Sequence, residues 1–259
     1  MKSNSLALAS MMIALALPAA LPAQRPTGFF DRTVTSGALE MKYQVYVPPD
    51  YDGKRKLPVI LFMHGSGERG SDGLKQTQVG MPSQIRWHRD WFDAIVVMPQ
   101  CPDDSVFRGV VAQAAFAALE KSVKEFHGDR DRLYVTGLSM GGYGVWQQLV
   151  DHPGVFAAAA TVSGGLTPSA DMANLFVDTK GNEPFGYVAR AAMDLPLWIF
   201  HGAQDDVVPI VQDRALVDSL KAVGASPKYT EYADLGHGAW DRAYGDHELW
   251  IWMFAQRRR

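Results

Sequence analysis

The sequence predicts an α/β fold, a mostly parallel central sheet with helices on both faces. Three observations carry that expectation. Short, continuous apolar runs recur along the chain, as strands buried on both faces require. Helical patterns stand between them, so that strands and helices alternate. Most of the runs stop at Gly, Pro or a His-Gly pair, which are turn residues. A chain of 259 residues, 47% hydrophobic and 20% charged, has the composition of an ordinary globular protein and the length for one large domain of this class.

The first strand signal is residues 41–47, which alternate and end at Pro48-Pro49. Residues 59–63 form a continuous apolar run into His64-Gly65, and 94–98 another into Pro99. Residues 133–136 lead into the Gly-rich turn discussed below, and 157–162 into Ser163-Gly164-Gly165. Residues 197–200 end at His201-Gly202, and 228–232 precede the last loop. Helices are expected over 106–126, where Val110, Val111, Ala114, Ala117, Ala118, Val123 and Phe126 keep helical spacing, and over 141–151, 209–223 and 241–256. The stretch 166–194 breaks the alternation: it is polar and irregular, with Pro168, Gly181, Pro184 and Gly186. An excursion of that kind leaves the sheet at its carboxyl edge, where it can form a small cap over a ligand site or a plain surface loop.

The first residues read differently. Lys2 precedes an apolar run from Leu6 to Leu17, followed by Pro18-Ala19-Ala20-Leu21-Pro22-Ala23. That is the pattern of a secretory signal peptide over 1–23, with cleavage after Ala23 or Ala20, leaving 24–259 as one domain. The run is shorter than the roughly 20 apolar residues a bilayer span takes, so no membrane span is expected after signal removal. The mature chain is therefore expected to be secreted or periplasmic.

A net charge of −3 gives no reason to expect a nucleic-acid partner. Arg257-Arg258-Arg259 are expected to cap the last helix in solvent, where cations suit the negative helix end. The single cysteine, Cys101, can form no internal disulfide and no metal cluster, and is expected to be a small buried residue after a strand.

Chemistry enters at Gly137-Leu138-Ser139-Met140-Gly141, directly after a strand signal and before a helical one. This is the G-x-S-x-G nucleophile elbow. The chain must turn sharply from strand to helix, so residues two before and two after the serine must be tiny or they collide. A serine hydroxyl needs a base within hydrogen-bond reach, and the base needs an acid to fix its tautomer. On sheets that carry this elbow the acid and then the histidine follow the serine in the chain. His201 precedes the acid candidates and His247 sits within the last helical pattern. His237, between Gly236 and Gly238 in the loop after the final strand, is the expected base. His201-Gly202-Ala203-Gln204-Asp205-Asp206 offers two carboxylates: Asp205 is the expected acid, and Asp206 suits the start of the next helix. The oxyanion of acyl transfer needs two donors. The backbone N–H of Met140 is one, and that of Ser66, with Gly65 or Gly67 as the fallback, is the other. Glu68 and Arg69 are expected to brace that loop, and His64 to be structural. Tyr143, Trp240 and Phe107 are aromatic candidates for substrate contact.

With these residues in place the chain resembles the α/β-hydrolase superfamily. It is most similar to bacterial secreted carboxylesterases and predicted peptidases related to dienelactone hydrolases, feruloyl esterases and polyhydroxybutyrate depolymerases. The matching blocks are His64-Gly65-Ser66-Gly67-Glu68-Arg69-Gly70, Pro99-Gln100-Cys101-Pro102, Gly137-Leu138-Ser139-Met140-Gly141-Gly142, His201-Gly202-Ala203-Gln204-Asp205 and Gly236-His237-Gly238-Ala239-Trp240. The resemblance implies an α/β-hydrolase fold and hydrolysis of a small-molecule or polymer-linked ester through an acyl-enzyme, with no metal or organic cofactor. A serine peptidase or thioesterase would use the same residues, and a non-catalytic binding protein would be expected to have lost one of them. The excursion at 166–194 is longer than in the most compact relatives.

Overall fold

A computed structural model describes residues 26–169 and 172–258. The expected signal peptide lies outside the described residues. Eight strands form one sheet: β1 (Gly28–Ser36), β2 (Leu39–Val47), β3 (Val59–Met63), β4 (Ile95–Pro99), β5 (Leu133–Leu138), β6 (Ala158–Val162), β7 (Leu197–Gly202) and β8 (Lys228–Tyr232). Their order across the sheet is β1-β2-β4-β3-β5-β6-β7-β8. β1 and β2 pair antiparallel, β2 meets β4 antiparallel, and every later pairing is parallel. The helices are α1 (Met81–Trp87), α2 (Val110–Glu125), α3 (Met140–Asp151), α4 (Pro184–Ala191), α5 (Val211–Ala222), α6 (Trp240–Tyr244) and α7 (His247–Phe254).

Burial on both faces of the sheet is what the continuous apolar runs demanded. Along β3, Val59, Leu61 and Met63 join the core under α2, α3, α4 and α5. Ile60 and Phe62 face the other way, into the core with α1, α6 and α7. Side chains alternate across a strand, so a strand between two helical layers must be apolar at every position.

One strand is added to the expected elements, and two expectations are corrected. β1 had no clear apolar signature because it is an edge strand, half-exposed along its length, and it is held by nine paired positions with β2. The single helix expected over 241–256 is two. The chain breaks at Gly245-Asp246, and the Asp246 carboxylate accepts the Glu248 N–H at 3.0 Å to start α7 afresh. Of the terminal arginines expected to cap that helix, Arg258 pairs instead with Asp131 at 3.2 Å and Arg257 lies 3.5 Å from Asp129, while Arg259 lies outside the described residues.

The excursion from 166 to 194 carries α4 and is no bare surface loop. Leu166, Leu175 and Val177 are buried in the core, as are Val188, Ala189 and Ala192. Gln212 on α5 fastens its start, its Oε1 accepting the N–H groups of Leu166 and Thr167 at 2.8 Å each. Gln147 on α3 fastens its middle, accepting the Asp178 N–H at 2.8 Å. The segment is thus part of the helical layer beside α3 and α5.

Candidate active site

The carboxyl ends of β3, β5 and β7, and the loop after β8, meet at Ser139. The serine stands between β5 and α3 with φ +50° and ψ −119°, a conformation rare for a residue with a side chain. Crowding around the turn explains its glycines. A Cβ on Gly141 would strike the Met63 carbonyl oxygen, and one on Gly137 would strike the Gly141 carbonyl. Gly142 is packed against Gly164, where a Cβ would lie 2.8 Å from the Gly164 Cα. The Ser139 N–H donates to Val162 O at 2.9 Å, tying the elbow to β6.

His237 reaches the serine from the loop after β8: its Nε2 is 2.8 Å from Ser139 Oγ. Its Nδ1 is 2.8 Å from Asp205 Oδ2. A carboxylate only accepts, so Nδ1 carries the hydrogen and Nε2 presents a lone pair to the serine hydroxyl. The Asp205 side chain is fully buried, and its other oxygen accepts the N–H groups of Val207 at 2.9 Å and Val208 at 2.8 Å. Burial opposes the charge, but hydrogen bonds from His201, His237 and the Val208 N–H hold this carboxyl well below the usual carboxylate range. Asp206 is exposed beside it. Between the two carboxylates, the structure brings Asp205 to the histidine.

Opposite the histidine lies the loop after β3. Gly65 packs against the serine, with the Ser139 Cβ 3.7 Å from where its own Cβ would be. The N–H groups of Met140 and Ser66 have no hydrogen-bond acceptor among the described residues. His64 explains the direction of the second one. Its Nδ1–H donates to Gly65 O at 2.6 Å, while its Nε2 accepts the Cys101 N–H at 2.9 Å. A trans peptide points its N–H opposite to its C=O. Pulling the Gly65 carbonyl toward the buried imidazole therefore turns the Ser66 N–H away from it. Burial lowers the His64 pKa to about 4, so the ring is neutral, as this pattern of one donor and one acceptor needs.

Gln100 braces the same loop, accepting the Gly73 N–H at 2.6 Å and donating to Asp72 at 2.9 Å and Glu68 O at 3.3 Å. The block Pro99-Gln100-Cys101-Pro102 matters here as scaffolding. Burial pushes the Cys101 thiol up to about 12, which keeps it a thiol. Glu68 is raised by burial, with the Gly65 N–H holding it back.

Of the three aromatic candidates, Trp240 stands edge-on to His237 at 5.4 Å and is half-buried. Tyr143 and Phe107 are both buried in the core. Tyr143 donates to Thr167 O at 3.2 Å, and Phe107 packs edge-on to His64 at 5.1 Å. Helical position and sequence proximity to the elbow cannot say which side of the turn a ring falls on. Two residues that sequence reasoning set aside or missed stand behind Asp205: His201, whose Nε2 is 3.0 Å from Asp205 Oδ2, and beyond it Asp213, 2.6 Å from His201 Nδ1. Asp213 gave no signal because nothing in the spacing from 201 to 213 shows that α5 folds back under β7.

Comparison with known proteins places this arrangement in a family. A fungal protein from Arthroderma benhamiae, described as an uncharacterized secreted protein, is 27% identical over 212 residues, covering 72% of this chain and 22% of its own length. A thermostable esterase of known structure superposes with a TM-score of 0.75 at 31% identity, covering 89% of this chain and 63% of that one. A ferulic acid esterase structure shares the fold, at a TM-score of 0.69 and 17% identity, over 88% of this chain and 98% of that one. The chain thus spans about a fifth of the fungal relative and under two thirds of the thermostable esterase. The profile of the prolyl oligopeptidase family matches residues 108–257, which include Ser139, Asp205 and His237. With more than half of its length in that match, on a sheet of this topology, the chain belongs to the prolyl oligopeptidase family of α/β-hydrolase-fold serine hydrolases.

Proposed function

We propose that the chain is an exported serine carboxylesterase in which Ser139, His237 and Asp205 form the catalytic triad. The observation that carries this reading is the unbroken chain from Ser139 Oγ through His237 to Asp205, at 2.8 Å for each link, with two nearby backbone N–H groups that have no acceptor among the described residues. Ser139 Oγ attacks the ester carbonyl as His237 Nε2 takes its proton, and Asp205 stabilises the imidazolium that results. The Met140 and Ser66 N–H groups hold the oxyanion. His237 then gives its proton to the departing alkoxide, leaving an acyl group on Ser139. Water attacks that ester with His237 again as base, and the acid leaves. Each proton taken by His237 is returned, so the cycle closes without a further reagent, metal or cofactor.

Ester rather than amide preference is supported by the 31% identity to a thermostable esterase over 89% of this chain. A peptidase reading is favoured by the family match instead. Export is supported by the N-terminal pattern and by the description of the fungal relative as secreted. Hydrolysis of p-nitrophenyl acetate and of a p-nitroanilide peptide, by the chain and by Ser139→Ala, separates these readings. Ester turnover that falls at least about 10³-fold in the variant supports the proposal. Anilide turnover of similar size would move the assignment to a peptidase, and turnover unchanged by the substitution would overturn the role of Ser139.

A further inference from the structure

Behind the acid of the proposed triad stands a second imidazole. His201 lies near the end of β7, wholly buried, and four residues before Asp205. Its Nε2 is 3.0 Å from Val208 O and 3.0 Å from Asp205 Oδ2. Its Nδ1 is 2.6 Å from Oδ2 of Asp213, which is fully buried on α5. A carbonyl oxygen accepts and never donates, so Nε2 must carry a hydrogen. The short Nδ1 contact to a carboxylate needs one more. His201 and Asp213 together therefore hold two protons and are neutral as a pair, whichever of them holds the shared proton. The N–H end of that pair faces Asp205.

Asp205 is surrounded by donors. Val207 and Val208 supply two to Oδ1, while His237 and His201 converge on Oδ2. Each positive or donating neighbour drains charge from the carboxylate and weakens its hold on the His237 proton. Asp213 in turn sits in the first turn of α5, where the helix dipole favours a negative charge. Its Oδ1 is buried with no partner among the described residues, so His201 is what compensates that carboxylate. Burying such a cluster costs stability that its mutual hydrogen bonds only partly offset. Burial works against a charge on His201, yet hydrogen bonds to Asp205 and Asp213 outweigh it and raise its pKa to about 10.

We propose that His201, anchored by Asp213, is a positioning residue for the proposed triad: it fixes Asp205 and draws charge from it, which weakens that carboxylate's hold on the His237 Nδ1 hydrogen. The inference rests on the serine hydrolase reading above. Other charged and titratable groups around this cluster are engaged elsewhere. Glu231 is paired with His201 in the β7–β8 register but is bound by Arg214 at 2.5 Å and by the Tyr229 hydroxyl at 3.0 Å. Tyr143 on α3, near both Asp205 and Asp213, donates to Thr167 O.

The test uses two variants. His201→Gln keeps a donor but cannot serve Asp205 and Asp213 together. Asp213→Asn keeps the shape but leaves His201 with one proton. Two readouts are taken on each: the acid limb of kcat/KM for p-nitrophenyl acetate, and the protonation midpoint of the His237 ring by NMR. The acid limb and the midpoint both move to higher pH, by about one unit in His201→Gln and less in Asp213→Asn, with rates recovering on the alkaline side. A purely structural tether would lower rates at every pH and leave both positions unmoved, and that result in either folded variant overturns the proposal. Should His201→Gln fail to fold, Asp213→Asn decides. Should Ser139→Ala keep full turnover, the enzymatic reading falls, while the NMR midpoint still reports whether His201 is coupled to His237.

Discussion

Ser139 holds its φ of +50° because the residues around it leave no other path, and single atoms decide the matter. In Gly141→Ala the new methyl would collide with the Met63 carbonyl, and backbone cannot swing aside as a side chain can. Unfolding in urea should show a loss of about 3 kcal/mol or more, and a variant as stable as the parent would contradict this account of the elbow. The acid is the next single-residue matter. Asp205→Asn removes the carboxylate that fixes the His237 tautomer, so kcat should drop by about 10³–10⁴-fold, whereas Asp206→Asn touches an exposed group and should leave kcat alone. The reverse pattern would transfer the role to Asp206. The proposed oxyanion loop can be probed by removing one hydrogen. Ser66 opens a short 3-10 turn, and Gly65 before it is extended at φ −79° and ψ 180°, a conformation that tolerates a following proline. Ser66→Pro therefore deletes the donor with little distortion, and kcat should fall by about 10²–10³-fold with KM much less affected.

Elements differ in how plainly the chain announces them. β3 has the bounds its apolar run suggested, because a strand buried between two helical layers leaves no polar position to blur its ends; β8, a half-buried edge strand, also keeps the bounds its run suggested. β1 escaped notice for the opposite reason: with one free edge it alternates weakly, and its pairing with β2 is set by tertiary context. α1 and α4 are short, and both begin with a proline in the first turn, which reads as a breaker until the start is known. The broken last helix shows what periodicity overlooks. Trp240, Tyr244, Leu249, Trp250 and Met253 look like one apolar face, yet Gly245-Asp246 stops one helix and caps the next. Asp246→Ala should cost about 1 kcal/mol in urea unfolding, because the Glu248 N–H loses its acceptor at the start of the helix that buries Leu249, Trp250 and Met253. No change in stability would mean that packing alone sets that break. In the site itself, the meeting of Ser139, His237 and Asp205 was legible because steric and tautomeric demands confine a proposed nucleophile, base and acid to particular turns. His64 and His201 were not, because what a buried imidazole does depends on partners brought from other strands and helices.

The whole molecule combines these buried imidazoles into one pH response. His64 is neutral in the fold with a pKa near 4, against 6.5 for a free histidine. Between those values the unfolded chain takes up a proton that the folded one refuses, so this contribution is complete above 6.5 and is lost as pH falls toward 4. Asp205, held below the ordinary 3.8, adds a further loss under still more acid conditions. His201 acts with the opposite sign. Its pKa is raised from 6.5 to about 10, so its contribution is complete below 6.5 and is lost as pH rises through 10. Acid and alkaline limbs thus have different authors, one on the β3 loop and one on β7. Urea unfolding followed from pH 4 to pH 10 should give a dome with its summit near neutrality. His201→Gln should flatten the limb between pH 6.5 and 10 and leave the acid limb in place, while His64→Gln should do the reverse. An alkaline limb of full size in His201→Gln would assign that loss of stability to other groups, and the extra proton held behind Asp205 would then have to be sought outside His201.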